Sequence, residues 1–378
     1  MGMTKEHTLN IYAHNSIYTQ DYLKNNYGKR KLKIHFCEPD FGTNGDTGIL
    51  LFISGFGANS NSNVYKKMRQ TFANKYNLVT IQCDYFGNEF MQKANNVLLN
   101  INRNEIEKIF TSNEIEYIFE EGNTNLNRLL EVGKNYNITM HGRENLSNEN
   151  HMNFNDMGIM QALDNITSVI YVMSILYNNN HKFNSKKIIL YGHSHGAYLS
   201  YLCNALAPHL FSLLIDNSAW LFPVYLKDNR VVFNKIGKMK LAIEFDYFAK
   251  NINFDEELLN LSTLYGKLGN NCNIISYHGN NDNLINNKIK ENFCSKLDYC
   301  IYNEISEENI DGVIFKSNAH GLGADFLNLF DYTIKDLEKL NFKFGKDSSF
   351  YLPNLEISTN QNNYMINYDN LFPEFRII

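Results

Sequence analysis

The chain reads as an α/β protein with a mostly parallel central sheet flanked by helices. Two observations predict this. Four short apolar runs, GILLFIS (48–54), LVTIQCDY (78–85), KKIILYG (186–192) and FSLLID (211–216), are each bounded by turn residues, as strands buried on both faces are. Between them lie segments of helical periodicity, clearest over 156–177, where Ile159, Leu163, Ile166, Ile170 and Met173 recur at spacings of three and four behind Asn155 and Asp156 as a cap.

In chain order, residues 7–37 alternate polar and apolar residues in short runs that suit antiparallel strands leading into the sheet, so residues 1–47 form its N-terminal edge. The core follows over 48–345, with CNIISYHG (272–279) and GVIFKS (312–317) as further strands and 324–340 as a helix. Two stretches break the rhythm and read as cap or lid insertions over one rim of the sheet. They are residues 88–150, charged and partly helical, and residues 221–268, with the hairpin-like VVFNKIGKMKLAIEF. Residues 346–378 are a tail packed on the core. No linker or fixed-period repeat divides the chain, so one elaborated domain is expected.

Composition narrows the function. With 378 residues, 44% of them hydrophobic, the chain can bury roughly three quarters of its unfolded surface without a disulfide or metal staple. Its 35 Lys and Arg against 40 Asp and Glu, a net charge of −5, provide no concentrated basic face, so neither nucleic acid nor an anionic membrane is an expected partner. The six cysteines show no CxxC pair and no Cys/His spacing that builds a zinc site, and the first thirty residues hold no apolar core of a signal or membrane span. A cytoplasmic address, reduced thiols and no metal or cofactor are the expectation; oligomeric state is left open.

The chemistry is concentrated in Gly192-His193-Ser194-His195-Gly196, a GxSxG sequence directly after the strand KKIILY and before the helical run AYLSYLCNALAP. That strand-turn-helix setting presents a strained serine at the top of a sheet, with glycines where a tight bend leaves no room for Cβ atoms. The helix behind it directs its positive end at the serine, so the His195 amide is one expected oxyanion donor. The second is expected from Phe56 or Gly57, in the loop Ser54-Gly55-Phe56-Gly57-Ala58 that ends an earlier strand.

A serine hydroxyl needs an imidazole to take its proton and a carboxylate to orient that imidazole. Around a serine elbow of this type, acid and then histidine follow the nucleophile in sequence. Of the downstream histidines, His209 is too close to Ser194 to fold back on it, and His278 lies in HGNND, whose loop presents Asp282. His320, in the glycine-rich SNAHGLGAD, is the expected base and Asp282 the expected acid, with Asp216 as the alternative acid one strand earlier. Two plainer readings exist for the same residues. Ser194 is then a turn serine, or His193 and His195 are a metal pair, the latter disfavoured because no third ligand is adjacent.

Taken together, ISGFGANSN, GHSHG, HGNND and NAHGLG resemble the oxyanion loop, elbow, acid loop and histidine loop of the α/β-hydrolase superfamily over residues 48–340. More narrowly, SGFGANSNSNVYKKMR, NDMGIMQALDNITSVIYV, GHSHGAYLSYLCNALAP and IDNSAW resemble a bacterial hydrolase-like family of unknown function, some members of which come from flagellated bacteria that decorate flagellin or surface glycans with sugars. The resemblance implies the α/β-hydrolase fold with cap insertions, a Ser-His-acid triad and a surface-sugar context. The expected activity is that of a serine esterase acting through an acyl-enzyme on a small-molecule or carbohydrate ester. An acyltransferase using the same triad on a glycan, and a non-catalytic binding protein of the same fold, are the alternatives. Aromatic residues in the insertions, as in FDYFAKNINF, read as packing before they read as a sugar-stacking surface.

Overall fold

A computed structural model describes residues 5–19, 27–99, 101, 103–120, 123–339, 342–345 and 352–378. The parts of the expected N-terminal strands and tail at residues 1–4, 20–26 and 346–351 lie outside the described residues. The chain forms two compact units. One comprises Met1–Gln92, His151–Pro223 and Asn253–Ile378; the other comprises Lys93–Asn150 and Val224–Ile252.

The first unit is built on an eight-stranded sheet: β1 (Lys5–His14), β2 (Tyr27–Glu38), β3 (Gly48–Ile53), β4 (Leu78–Asp84), β5 (Ile188–His193), β6 (Leu213–Asn217), β7 (Asn273–Gly279) and β8 (Cys300–Ile305). Their spatial order is β1-β2-β4-β3-β5-β6-β7-β8. β2 runs antiparallel to both of its neighbours, β1 and β4, and every pairing from β4 to β8 is parallel. This order and polarity are those of the α/β-hydrolase fold, and the expected fold class is observed.

The apolar runs sit where both faces are covered. Side chains alternate across a strand, so Leu50, Phe52, Ile189, Tyr191, Leu213, Ile215, Ile275 and Tyr277 share one face. There they pack with Phe72 of α1 (Asn63–Tyr76) and with Phe326, Leu329, Phe330 and Leu337, which lie on the later helix Phe326–Lys339. α2 (Ile159–Asn178) and α3 (His195–Leu206) pack against each other and against the sheet. Among the described residues, α2 is the one helix long and apolar enough by composition to cross a membrane, and its burial within this unit accounts for that character. Its first turn differs from the expected cap. Gly158 occupies the N-cap position without a side-chain bond, while Asp156 Oδ2 accepts the amide of Met160 at 2.8 Å.

One expected strand is absent. GVIFKS is a run of bends, because the Asp311 carboxylate accepts the amides of Val313 (2.8 Å), Ile314 (2.7 Å) and Phe315 (3.0 Å) and so coils the segment. The edge strand is β8 instead, which sequence reading passed over. The tail contributes an antiparallel meander of Leu355–Ser358, Asn363–Asn367 and Glu374–Ile377.

The second unit has its own four-stranded sheet, in the order Arg230–Ile236, Met239–Phe245, Thr139–Glu144 and Val97–Leu99. The hairpin read at 231–245 is its outer pair. Ile106, Phe110, Ile115, Ile118 and Leu129 form this unit's separate core.

Register fixes what meets at the carboxyl ends of the large sheet. Ile53 pairs with Gly192, His193 with Asn217, and Asn217 with Tyr277. The ends of β3, β5, β6 and β7 are therefore aligned, and the loops that leave them converge, which is where α/β sheets place their sites.

Candidate active site

Ser194 stands between β5 and α3 with φ 55° and ψ −122°, a conformation costly for any residue with a side chain. The bend persists because the surrounding backbone closes on it. A Cβ on Gly196 would lie 2.1 Å from the Ile53 carbonyl oxygen, and one on Gly192 would lie 2.4 Å from the Ala197 nitrogen. The amides of Ala197 and Tyr198 donate to the Ser194 carbonyl at 3.0 and 3.1 Å, which starts α3 at His195.

The structure brings Ser194, His320 and Asp282 together. Ser194 Oγ and His320 Nε2 are 2.7 Å apart, and His320 Nδ1 lies 2.8 Å from Asp282 Oδ2. The imidazole can thus accept a proton from the serine on one nitrogen while donating from the other to the carboxylate. Asp282 has no exposed side-chain surface, whereas the His320 side chain keeps 18% of its own. Burial alone would raise the Asp282 carboxyl. The hydrogen bond and charge of His320, with the Leu284 amide (2.8 Å) and His278, outweigh burial and hold the carboxyl below its usual range. The acid and histidine loops meet backbone to backbone: a Cβ on Gly279 would fall 2.0 Å from the Asn318 carbonyl oxygen.

His278 flanks the same carboxylate, its Nε2 3.5 Å from Asp282 Oδ2. That nitrogen donates to the Ile285 carbonyl at 2.9 Å, and burial together with the nearby Lys290 ammonium lowers the ring's pKa from its ordinary value. Asp216 is engaged elsewhere. Its carboxylate takes Lys290 Nζ (2.7 Å), Ser276 Oγ (2.7 Å), Tyr201 Oη (3.0 Å) and the Ala219 amide (2.8 Å), and none of these partners is His320.

The two histidines flanking the serine have different surroundings. His193 stacks on Phe326 with ring centroids 3.7 Å apart and meets Tyr191 Oη at 3.0 Å. Burial, reinforced by His320 and opposed by Asp216, pushes its pKa down to about 3. His195 Nε2 meets Gln161 Oε1 of α2 at 2.8 Å.

The loop after β3 closes on Ser194, for a Cβ on Gly55 would sit 3.2 Å from Ser194 Cβ. Of the two amides expected to serve as oxyanion donor, that of Gly57 donates to the Met91 carbonyl at 2.8 Å. Gly57 is therefore corrected, since a spent N–H cannot also hold an oxyanion. The Phe56 ring, half-buried, packs on His195 at 5.1 Å and stacks on Trp220 at 5.5 Å.

Sequence reading missed Asn217 and Ser218, where β6 ends. Both are fully buried, and both reach the residue after His320: Asn217 Nδ2 donates to the Gly321 carbonyl at 3.1 Å, and the Gly321 amide donates to Ser218 Oγ at 3.0 Å. The available signal was polar Asn-Ser at the end of a buried apolar strand, inside the motif IDNSAW.

Among solved structures, the chain is similar to the ferulic acid-bound Est1E from Butyrivibrio proteoclasticus, at 13% identity over 83% of this chain and 96% of that one, with a TM-score of 0.44. It is also similar to an arylesterase (12% identity, 89% and 86% covered, TM-score 0.44). A third is esterase 2 of Thermogutta terrifontis phosphonylated by sarin (12%, 88% and 97%, 0.43). At these identities and scores the likeness bears on neither substrate nor reaction. No curated protein matches the chain. A family model described as "Protein of unknown function (DUF2920)" matches residues 28–256, a stretch that includes Ser194 but neither Asp282 nor His320. More than half of the chain, from the second strand past the serine elbow, fits that one pattern, and the protein is a member of this DUF2920 family.

Proposed function

We propose that the protein is a serine hydrolase that cleaves a carboxylic ester through an acyl-enzyme. The observation that carries this reading is the unbroken chain from Ser194 Oγ to His320 Nε2 (2.7 Å) and from His320 Nδ1 to Asp282 Oδ2 (2.8 Å). His320 takes the hydroxyl proton as Ser194 Oγ bonds to the ester carbonyl carbon. The tetrahedral oxyanion is held by the amides of His195 and Phe56, and the alcohol leaves with the proton from His320. Water, deprotonated by the same imidazole, then releases the carboxylic acid and restores Ser194.

An acylated sugar is the substrate class this reading favours, because Phe56 backed by Trp220 offers an aromatic platform beside the elbow. The same platform supports a second reading in which a sugar hydroxyl replaces water as acyl acceptor.

A fluorophosphonate probe is expected to label Ser194, and Ser194→Ala to lose both labelling and turnover of a short-chain aryl ester. Correctly folded protein that resists the probe would return the chain to the non-catalytic binding reading. Free acid measured with and without sugar acceptors separates hydrolysis from transfer: acyl transfer that outruns hydrolysis sinks the esterase assignment.

A further inference from the structure

We infer that the dipeptide Asn217–Ser218 is a positioning clamp that sets the distance between the nucleophile and its base. This rests on the reading of Ser194 and His320 given above.

The clamp holds both partners from one rigid strand end. Toward the nucleophile, the Asn217 carbonyl accepts the Ser194 amide at 2.8 Å, while the Ser218 amide donates to the Tyr277 carbonyl at 3.0 Å and so ties the dipeptide to β7. Toward the base, the two polar backbone groups of Gly321 are bound by consecutive side chains. Its carbonyl takes Asn217 Nδ2 at 3.1 Å, and its amide donates to Ser218 Oγ at 3.0 Å. The Ser218 hydroxyl proton goes to Asn217 Oδ1 at 3.0 Å, which orients the Asn217 amide with its nitrogen toward Gly321. The second Nδ2 hydrogen faces the His193 ring, whose nitrogens lie 3.3 and 3.4 Å away.

Two features indicate that this arrangement does more than fill space. Ser218 is fully buried at φ 58°, where a residue with a side chain is strained, and its hydroxyl bonds compensate that strain. The base also needs an anchor, because His320 is borne on a loop and not on a strand. Gly321, Leu322 and Gly323 follow it with φ of 75°, 59° and 56°, a conformation that forms no sheet ladder. On its N-terminal side the His320 loop is tied to the loop after β7, where the Asn281 amide donates to the Asn318 carbonyl at 3.0 Å and Asn318 Nδ2 donates to Asn280 Oδ1 at 2.9 Å; on its C-terminal side Gly321 is held by the dipeptide. A hydrogen bond of 2.7 Å between Ser194 and His320 tolerates little drift.

The test is Ser218→Gly, which removes the hydroxyl yet accepts the left-handed backbone, accompanied by Asn217→Ala and the double variant. Turnover of p-nitrophenyl acetate, fluorophosphonate labelling and thermal unfolding are measured for each. Each single variant is expected to lower kcat by roughly 10- to 100-fold, with KM within about twofold of wild type and the unfolding midpoint nearly unchanged. The double variant falls no further than the worse single, because both side chains serve one anchor. A kcat within about twofold of wild type in both singles overturns the clamp. So does a kcat loss that merely follows a lowered unfolding midpoint, or additive losses in the double variant. Should Ser218→Gly not fold, Asn217→Ala decides by the same measures. Wild-type protein inert to both probe and ester instead removes the underlying reading of Ser194.

Discussion

Two aspartates near the ends of adjacent strands, Asp216 and Asp282, have unlike surroundings and therefore different expected responses to substitution. Asp216 is fully buried against the equally buried Lys290 and has three further hydrogen-bond donors. Removing one partner of such a pair leaves an uncompensated buried charge. Asp216→Asn is expected to cost about 3–5 kcal/mol of stability, read as a lowered thermal midpoint. Asp282→Asn breaks no comparable pair but leaves the imidazole in the wrong tautomer, so kcat is expected to drop by about 10⁴-fold in protein that unfolds nearly as wild type does. An Asp216→Asn variant that folds normally and is inactive, beside an active Asp282→Asn, would exchange the two roles.

His193 carries a pH signature. Its folded pKa of about 3 lies below the roughly 6.5 of a free imidazole. Between those values the unfolded chain binds a proton that the folded chain does not, so this residue's contribution is intact above the unfolded value and is lost as pH falls toward 3. Asp156 acts in the opposite sense. Burial raises it to about 7, its contribution is complete below the ordinary carboxylate value, and it fades as pH rises through 7. Stability measured from pH 7 down to pH 5 is expected to decline less in His193→Gln than in wild type. Equal declines in the two proteins would show that the ring is not held neutral.

At the scale of elements, the elbow was the most legible part of the chain. A strand, a GxSxG pentapeptide and a helix are contiguous, and local backbone geometry alone demands the two glycines. Gly196→Ala is expected to abolish fluorophosphonate labelling and lower the unfolding midpoint, because its Cβ would press on the Ile53 carbonyl. Normal labelling in that variant would mean that β3 can retreat. The edge of the sheet was less legible. GVIFKS has the composition of a strand, but three amides captured by Asp311 coil it. CIYNEI is more polar, yet it pairs with β7, because an edge strand needs only one covered side and so carries a weaker apolar signature. The Gly57 amide was misjudged for a similar reason, since its acceptor, Met91, comes from a separate stretch of chain.

Across the whole molecule, the DUF2920 match spans Ser194 but ends before Asp282 and His320, which lie after β7 and in the loop preceding the helix Phe326–Lys339. The second unit has its own sheet and apolar core, so it is expected to open as a separate cooperative segment. Leu129→Ala, at a fully buried position, should cost about 2–5 kcal/mol locally. Hydrogen exchange should then speed up over Thr139–Glu144 and leave Ile188–His193 unchanged. Equal acceleration in both segments would make the two units one cooperative block.

By itself the sequence determined the alternation of buried strands and helices and the bend at Ser194, and it singled out His320 and Asp282 as candidate partners of that serine, because these readings follow from short-range pattern and from order along the chain. Only the tertiary structure decided that Ser194 and His320, 126 residues apart, come within hydrogen-bond reach. It also decided that Asp216 belongs to Lys290, that Gly57 is spent on Met91, and that Asn217 and Ser218 link Ser194 to Gly321. The reason is physical: a hydrogen bond depends on positions to within tenths of an ångström, and strand register and packing set those positions, not any local run of residues.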